Sequence, residues 1–176
     1  NYRSKLWTPE EANLVMSKFM PYVDVYIGNE EDAENVFGIK AKNTNVYNGK
    51  LDYENYKEVA KEISNQFGCS YVAITLRTSI SATINKWAGM IYSKETNSSY
   101  LSREYDIYIV DRVGSGDSFA AGIIYSLLNK MEHQECIEFA VAASCLKHTL
   151  EGDFNRITVK DVYSLMSGDR TGRVKR

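Results

Sequence analysis

The chain has 176 residues, 44% of them hydrophobic and 25% charged, which is the composition of a globular protein and excludes a disordered chain. Its formal net charge of −2 excludes a broad basic surface, so we expect no nucleic-acid partner. No apolar run approaches the length of a membrane span, so we expect no membrane partner.

The first half of the chain carries start and stop signals of short helices and strands. Thr8-Pro9-Glu10-Glu11 predicts a helix start, with threonine as the N-cap, proline at the first helical position and glutamate at the third. Gly38 and Gly68 follow helical patterns and predict helix ends. The elements predicted here are a helix from Thr8 that ends at Pro21, a strand over 23–27, a helix over 30–36, a polar loop over 40–51, a helix over 53–67 and a strand over 71–76.

The second half alternates in a similar way. Its predicted elements are a strand over 87–92, a turn over 93–99, a strand over 105–110, a helix over 119–129, a helix over 134–148 that ends on Lys147 and His148, and a helix over 158–166 capped by Thr158. The alternation predicts an α/β fold with a mainly parallel sheet and helices on both faces. No proline- or serine-rich linker divides the chain, so we expect one domain over residues 1–176.

The cysteines indicate a reducing compartment. Cys69, Cys136 and Cys145 are an odd number of widely separated thiols without a C-x-x-C spacing. We therefore expect buried, reduced cysteines in a cytoplasmic protein.

One small-residue turn carries the most specific chemical signal. The sequence DRVGSGDSFAAG, residues 111–122, lies between a predicted strand and a predicted helix. Such a turn directs backbone N–H groups and the positive end of a helix dipole at a phosphate. Asp117 places a carboxylate at this anion site, where it could take a proton from an attacking hydroxyl. The alternative is a tight turn in which Ser115 or Asp117 is only the N-cap.

Three segments are predicted to meet at one edge of the sheet. Asn29 follows a predicted strand, the segment 75–77 ends one, and Asp111 follows another. Because ligands bind at the carboxyl ends of parallel strands, this convergence predicts a ligand site.

The turn also resembles a known signature. DRVGSGDSFAAG is similar to the C-terminal motif of the ribokinase-like, or phosphofructokinase-B type, sugar kinases. The stretches that narrow the resemblance to 2-keto-3-deoxygluconate kinases are NYRSKLW at 1–7, GNEEDAE at 28–34 and KHTLEGDFN at 147–155. The resemblance implies a three-layer α/β/α sandwich, of which this chain is the C-terminal part, with the N-terminal part and its lid absent.

The resemblance implies a role for each matching residue. Asp117 corresponds to the catalytic base of the family. The anion hole for the ATP phosphates is implied to consist of the N–H groups of Gly114, Ser115 and Gly116. The residues implied to bind the nucleotide are Asn1, Asn29, Thr75, Arg77 and Asn155.

Three charged residues are implied to act on the sugar or the metal. The Arg3 guanidinium suits the carboxylate of a sugar acid, and Asp153 is implied to face the same substrate or its bound ion. Asp32 stands where the family motif N-x-x-E has glutamate, and is implied to reach Mg²⁺ through water. The segment 75–79, TLRTS, stands where the family usually has T-x-G-x-x-G. The structural alternatives are an exposed side chain for Arg3 and Arg77, a favourable charge at a helix N-terminus for Asp32 and a plain turn for Asp153.

Together these features predict a sugar kinase that transfers the γ-phosphate of ATP, with Mg²⁺, to 2-keto-3-deoxygluconate, as a homo-oligomer in its full-length form. One alternative keeps the fold and changes the acceptor to fructose or ribose. Another is a non-catalytic nucleotide-binding module, which the presence of Asp117 disfavours because such a module could lose it freely.

Overall fold

The computed structural model describes residues 2–40 and 53–168, and its contacts divide the chain into two units. The first unit consists of Asn1–Thr78 and Gly89–Tyr100, and the second of Ser79–Ala88 and Leu101–Arg176. The loop predicted over 40–51 lies, apart from Lys40, outside the described residues.

Local capping signals define the first helices as predicted. Helix α1 begins after Thr8, whose Oγ1 accepts a hydrogen bond from the Glu11 N–H at 3.2 Å while the Glu11 carboxylate accepts one from the Thr8 N–H at 2.8 Å. A 3-10 turn over Met20–Tyr22 then ends the helical segment. The elements up to residue 79 are α1 (Pro9–Phe19), β1 (Val25–Gly28), α2 (Glu30–Phe37), α3 (Tyr53–Phe67) and β2 (Tyr71–Ser79).

The later elements include one strand that the sequence did not predict. Strand β4 begins inside the predicted turn over 93–99 and extends beyond it. It was not predicted because Ser98-Ser99-Tyr100 contains no β-branched residue. Helix α4 begins four residues earlier than predicted, so its first turn contains Gly116 and Asp117. The remaining elements are β3 (Ile84–Ser93), β4 (Ser98–Leu101), β5 (Tyr105–Tyr108), α4 (Ser115–Leu128), α5 (His133–His148) and α6 (Val159–Met166).

The α/β class is as predicted, but the sheet is mixed. Strands β1 and β2 pair in parallel, from Val25 with Tyr71 to Gly28 with Ile74. Strands β3 and β5 pair antiparallel, from Ile84 with Tyr108 to Trp87 with Tyr105. The hydrogen-bonded order is β1-β2-β3-β4. Four residues join β2 to β3, and another four join β3 to β4. These connections are hairpins, since a parallel pair needs a crossover of about a dozen residues.

The second unit is built on the contact between α4 and α5. Gly122 of α4 lies so close to α5 that a β-carbon there would be 2.6 Å from the Ala140 Cα. Phe119, Ile123 and Ile137 are fully buried around this contact. Gly122 thus allows the two helices to approach each other closely. This packing fixes the N-terminus of α4.

Two findings bear on the expected cellular environment. All three cysteines are free and buried, as predicted, and burial raises the pKa of the Cys136 thiol to about 11. In the part of the chain that the structure describes, none of the helices has both the length and the apolar composition to cross a bilayer.

Candidate active site

The turn from β5 to α4 requires glycine at its last position. Gly114 is the N-cap residue of α4 and adopts a left-handed conformation with φ of 77°. A β-carbon at this position would lie 2.5 Å from the carbonyl oxygen of Asp153. Both the positive φ and the close approach therefore exclude a larger residue.

The N-terminus of α4 has no side-chain cap. Helices α1, α2 and α6 each begin with a reciprocal capping box, whereas no side chain caps α4 or α5. The Ser115 hydroxyl instead donates to the Arg112 carbonyl at 2.8 Å. The reading of Ser115 or Asp117 as a simple N-cap is therefore wrong.

The first turn of α4 leaves backbone donors available to a ligand. Gly116 and Asp117 occupy the second and third helical positions, where a backbone N–H has no acceptor within the helix. Their N–H groups also donate to no other acceptor among residues 2–40 and 53–168. The Ser115 N–H is partly used, because it donates to the Arg112 carbonyl at 3.3 Å. Gly116 is exposed, and a β-carbon built on it would meet no atom within 4 Å. The exposed Asp117 carboxylate lies at the same helix end, so donors and a carboxylate share one open site.

Asp111 joins this turn to the turn that follows α5. Its carboxylate accepts from the Val113 N–H at 3.0 Å and from the Gly152 N–H at 2.8 Å. These donors hold the pKa of the Asp111 carboxyl below its ordinary value. The backbone N–H groups of Val110 and Asp111 donate to the His148 carbonyl at 2.8 and 3.2 Å. The sequence predicted no such role for Asp111, although aspartate often accepts a hydrogen bond from the backbone two residues further on, in an Asx turn.

Lys147 holds the same turn from inside the protein. The residue is fully buried, and its ammonium donates to the carbonyl oxygens of Gly152 at 2.6 Å and Leu150 at 3.3 Å. The sequence placed Lys147 only at a helix end, where the dipole favours a positive charge. Its burial has no sequence signal, because lysine is almost never fully buried.

The second unit brings most of the predicted phosphate-site residues together. The Asn155 amide donates to the Ser118 hydroxyl at 2.9 Å, which places it against the start of α4. The Asp153 carbonyl lies behind Gly114, while its side chain is exposed. The predicted residues gathered here are Gly114, Ser115, Gly116, Asp117, Asp153 and Asn155.

Asn29 and Asp32 have structural tasks in the first unit. Asn29 caps α2, with its Oδ1 accepting from the Asp32 N–H at 2.9 Å. The Asp32 carboxylate accepts from the Asn29 N–H and from the Tyr2 N–H, both at 3.3 Å. Asp32 thus ties the segment around Arg3 to α2. Arg3 itself is exposed, and Asn1 lies outside the described residues.

The segment 75–77 is not at a strand end. Strand β2 continues to Ser79, so Thr75 is half-buried in mid-strand and Arg77 is exposed two residues later. The β-branched Thr75 and Thr78 favour this extension. Asn29 lies directly after β1, and the turn that begins near Asp111 follows β5, so these two segments come after strands as predicted.

Comparison with known proteins identifies the family. The model of the pfkB family of carbohydrate kinases matches residues 1–157. The chain belongs to this family. The matched range includes the turn before α4 and ends two residues after Asn155, so the resemblance carried by DRVGSGDSFAAG is confirmed.

Two curated proteins are similar along nearly the whole chain. The 2-dehydro-3-deoxygalactonokinase of Haloferax volcanii is 24% identical over 172 residues, which are 98% of this chain and 47% of that protein. The 2-dehydro-3-deoxygluconokinase of Bacillus subtilis is 25% identical over 179 residues, which are 100% of this chain and 48% of that protein. The chain therefore spans about half the length of these relatives.

A similar solved structure confirms the fold. The crystal structure of 2-dehydro-3-deoxygluconokinase from Thermotoga maritima matches with a TM-score of 0.88 and 47% sequence identity. The match covers 96% of this chain and 48% of that chain. The predicted ribokinase-like α/β fold is thereby confirmed for this pfkB family member.

Proposed function

We propose that this chain forms the phosphate-binding and catalytic part of an ATP-dependent sugar kinase, as the C-terminal part of a longer single kinase domain. The observation that carries the proposal is the N-terminus of α4, where free N–H groups and the Asp117 carboxylate stand together without a cap. Membership of the pfkB family supports the same activity.

The proposed reaction assigns one task to each part of the turn. The N–H groups of Gly114 and Gly116, with the weaker contribution of Ser115, bind the oxygens of the transferred γ-phosphoryl group as their charge shifts. Asp117 accepts the proton of the acceptor hydroxyl while that oxygen forms its bond to phosphorus. The bond between the γ-phosphorus and the bridging oxygen breaks, and ADP leaves with the electron pair.

A magnesium ion would be held mainly by the ATP phosphates. Among residues 2–40 and 53–168 no group of three or more His, Cys, Asp or Glu side chains is placed to hold a metal ion, so an all-protein site does not fit. Contact through water fits, since the two hydrogen bonds to Asp32 leave lone pairs on its carboxylate free. The ion would neutralise charge on the phosphates, and Asp32 would orient its water.

The proposed acceptor is 2-keto-3-deoxygluconate, which is also called 2-dehydro-3-deoxygluconate. The name of the Thermotoga maritima enzyme, at 47% identity, supports this acceptor. The Haloferax volcanii enzyme is named for the galactonate epimer, which makes that sugar acid the second candidate. In this proposal Arg3 binds the acceptor carboxylate and Asp153 a hydroxyl.

The nucleotide contacts, the compartment and the oligomeric state complete the proposal. The residues that we propose to bind ATP are Asn1, Asn29, Thr75, Arg77 and Asn155. The buried thiols, which the reducing cytoplasm would keep free, support a cytoplasmic enzyme. We propose a homo-oligomer for the full-length form, with no nucleic-acid or membrane partner.

The deciding experiment is a coupled assay of ADP release by the full-length protein. Its substrates are 2-keto-3-deoxygluconate, its galactonate epimer, fructose and ribose, each with Mg·ATP. We expect the highest kcat/KM with a 2-keto-3-deoxy sugar acid. Equal kcat/KM for fructose would contradict the sugar-acid acceptor, and no turnover with any sugar would favour a non-catalytic nucleotide-binding module.

A further inference from the structure

One peptide group in the second unit is held at both ends by opposite charges. The Gly152 N–H donates to the Asp111 carboxylate at 2.8 Å, and the Gly152 carbonyl accepts from the Lys147 ammonium at 2.6 Å. Asp111 also accepts from the Val113 N–H at 3.0 Å, so its two oxygens join both turns. We call Asp111, Lys147 and Gly152 the charge clamp.

The burial of Lys147 calls for a physical reason. A fully buried ammonium is stable only when hydrogen bonds and an opposite charge compensate the loss of water. Here the carbonyls of Leu150 and Gly152 accept its protons, and the Asp111 carboxylate lies on the other side of the Gly152 peptide group. A well-packed apolar side chain would fill such a space at no electrostatic cost. A task that requires the positive charge itself would explain the lysine.

The charge clamp lies directly behind the proposed phosphate site. The Cβ position of Gly114 is 3.3 Å from the Lys147 Cε and 2.5 Å from the Asp153 carbonyl oxygen. The lysine stem and the clamped turn therefore form the wall against which the N-cap of α4 rests. A shift of this wall would move the N–H groups of Gly114 and Gly116, and loss of the ammonium would remove a fixed positive charge next to a phosphate.

We propose that Lys147 is a positioning residue for phosphoryl transfer. Its buried ammonium holds the turn over 149–153 against Gly114 and adds positive potential at the α4 N-terminus. This inference rests on the proposed kinase function. Because the transferred phosphoryl group gains its critical contacts in the transition state, loss of Lys147 would lower kcat and leave the KM for the sugar nearly unchanged.

The test uses variants of the full-length kinase. Lys147→Met keeps most of the side-chain volume and removes the charge, and we expect kcat to fall by on the order of 10- to 100-fold. Lys147→Ala removes the atoms of an n-propylammonium ion, so adding that ion should restore part of the lost kcat. Neutral n-propanol, which fills the same space, should not restore it. Lys160→Ala, on the exposed part of α6, is the matched control and should respond to neither compound.

The outcomes separate this inference from the proposed function. A wild-type protein without sugar-dependent ADP release would contradict the proposed function itself. An active wild type with a folded Lys147→Met variant of normal kcat, or rescue by propanol as effective as by propylammonium, would overturn the role of Lys147. If Lys147→Met does not fold, Lys147→Gln replaces it, since this side chain also lacks the charge but keeps a hydrogen-bond donor, and normal kcat in that folded variant would overturn the proposal.

Discussion

The Cβ position of Gly114 lies 2.5 Å from the carbonyl oxygen of Asp153, whereas the Cβ position of Gly116 has no atom within 4 Å. The two glycines therefore differ in the space around them. Gly114 allows the protein to pack, and Gly116 leaves space for a ligand. This difference gives the first prediction.

Gly114→Ala should destabilise the fold, and Gly116→Ala should impair only the reaction. Alanine at 114 must adopt a φ of 77° and displace Asp153, which we expect to lower the free energy of unfolding by about 2 kcal/mol or more. Alanine at 116 fits an open helical position, so the free energy of unfolding measured in urea should be unchanged or slightly higher. Its methyl group would obstruct a phosphate, so kcat/KM for ATP should fall. A normal kcat/KM in Gly116→Ala would contradict the placement of the phosphate.

Asp117→Asn should separate nucleotide binding from catalysis. Asparagine keeps the shape of the side chain but cannot accept the proton of the acceptor hydroxyl. We expect nucleotide affinity, measured by titration, to equal or slightly exceed that of the wild type, because a negative charge near the phosphates is lost. The kcat should fall ~10²-fold or more. Glu151→Gln, an exposed acid in the neighbouring turn, is the control and should keep its activity. Near-normal turnover in Asp117→Asn would exclude it as the base and make Asp153 the next candidate.

Gly122→Ala tests how closely α4 and α5 must pack. The added methyl would stand 2.6 Å from the Ala140 Cα, and that backbone cannot move without shifting the helix. We expect a loss of about 1–3 kcal/mol in the free energy of unfolding, measured in urea. Ala121→Ser, at the exposed neighbouring position, should change it by less than about 0.5 kcal/mol. Equal effects of the two substitutions would contradict the observed contact.

Asp111 should make the stability of the protein depend on acidic pH. Hydrogen bonds from Val113 and Gly152 lower the pKa of its carboxyl below the ordinary 3.8, so the native state binds this proton less readily than the unfolded state. The stabilisation is therefore present above the unfolded pKa and is lost as the pH falls through the folded pKa. Asp111→Asn should be less stable than the wild type at pH 7, and the difference should shrink below about pH 4. Urea unfolding of both proteins between pH 2 and 7 measures it, and a constant difference would refute the assignment.

The parts of the fold that the sequence predicts are those encoded by neighbouring residues. Thr8 with Glu11 and Thr158 with Asp161 form capping boxes that can be read from a spacing of three residues. The mixed sheet depends on which strands pair, and Thr75 lies in mid-strand because β2 extends into a hairpin. Those facts depend on contacts between distant residues.

The candidate site shows the same division. The glycine turn with Asp117 is a contiguous motif, so the sequence predicts it. The charge clamp joins Asp111 and Gly152, which are 41 positions apart in the sequence. It also contains a fully buried lysine, Lys147, and lysine is rarely buried. The role of Asp32 in holding Tyr2 is likewise a contact over 30 residues. Such groupings arise only once the chain has folded.

The missing cap of α4 has a thermodynamic consequence. Three other helices satisfy their first N–H groups with their own side chains, and we propose that in α4 a phosphate does so. A bound nucleotide would therefore stabilise the fold as well as react in it, by a free energy that rises with the logarithm of the free nucleotide concentration once this exceeds the Kd. Depletion of ATP in the cell would then expose the proposed kinase to faster proteolysis, so its lifetime would depend on the ATP concentration.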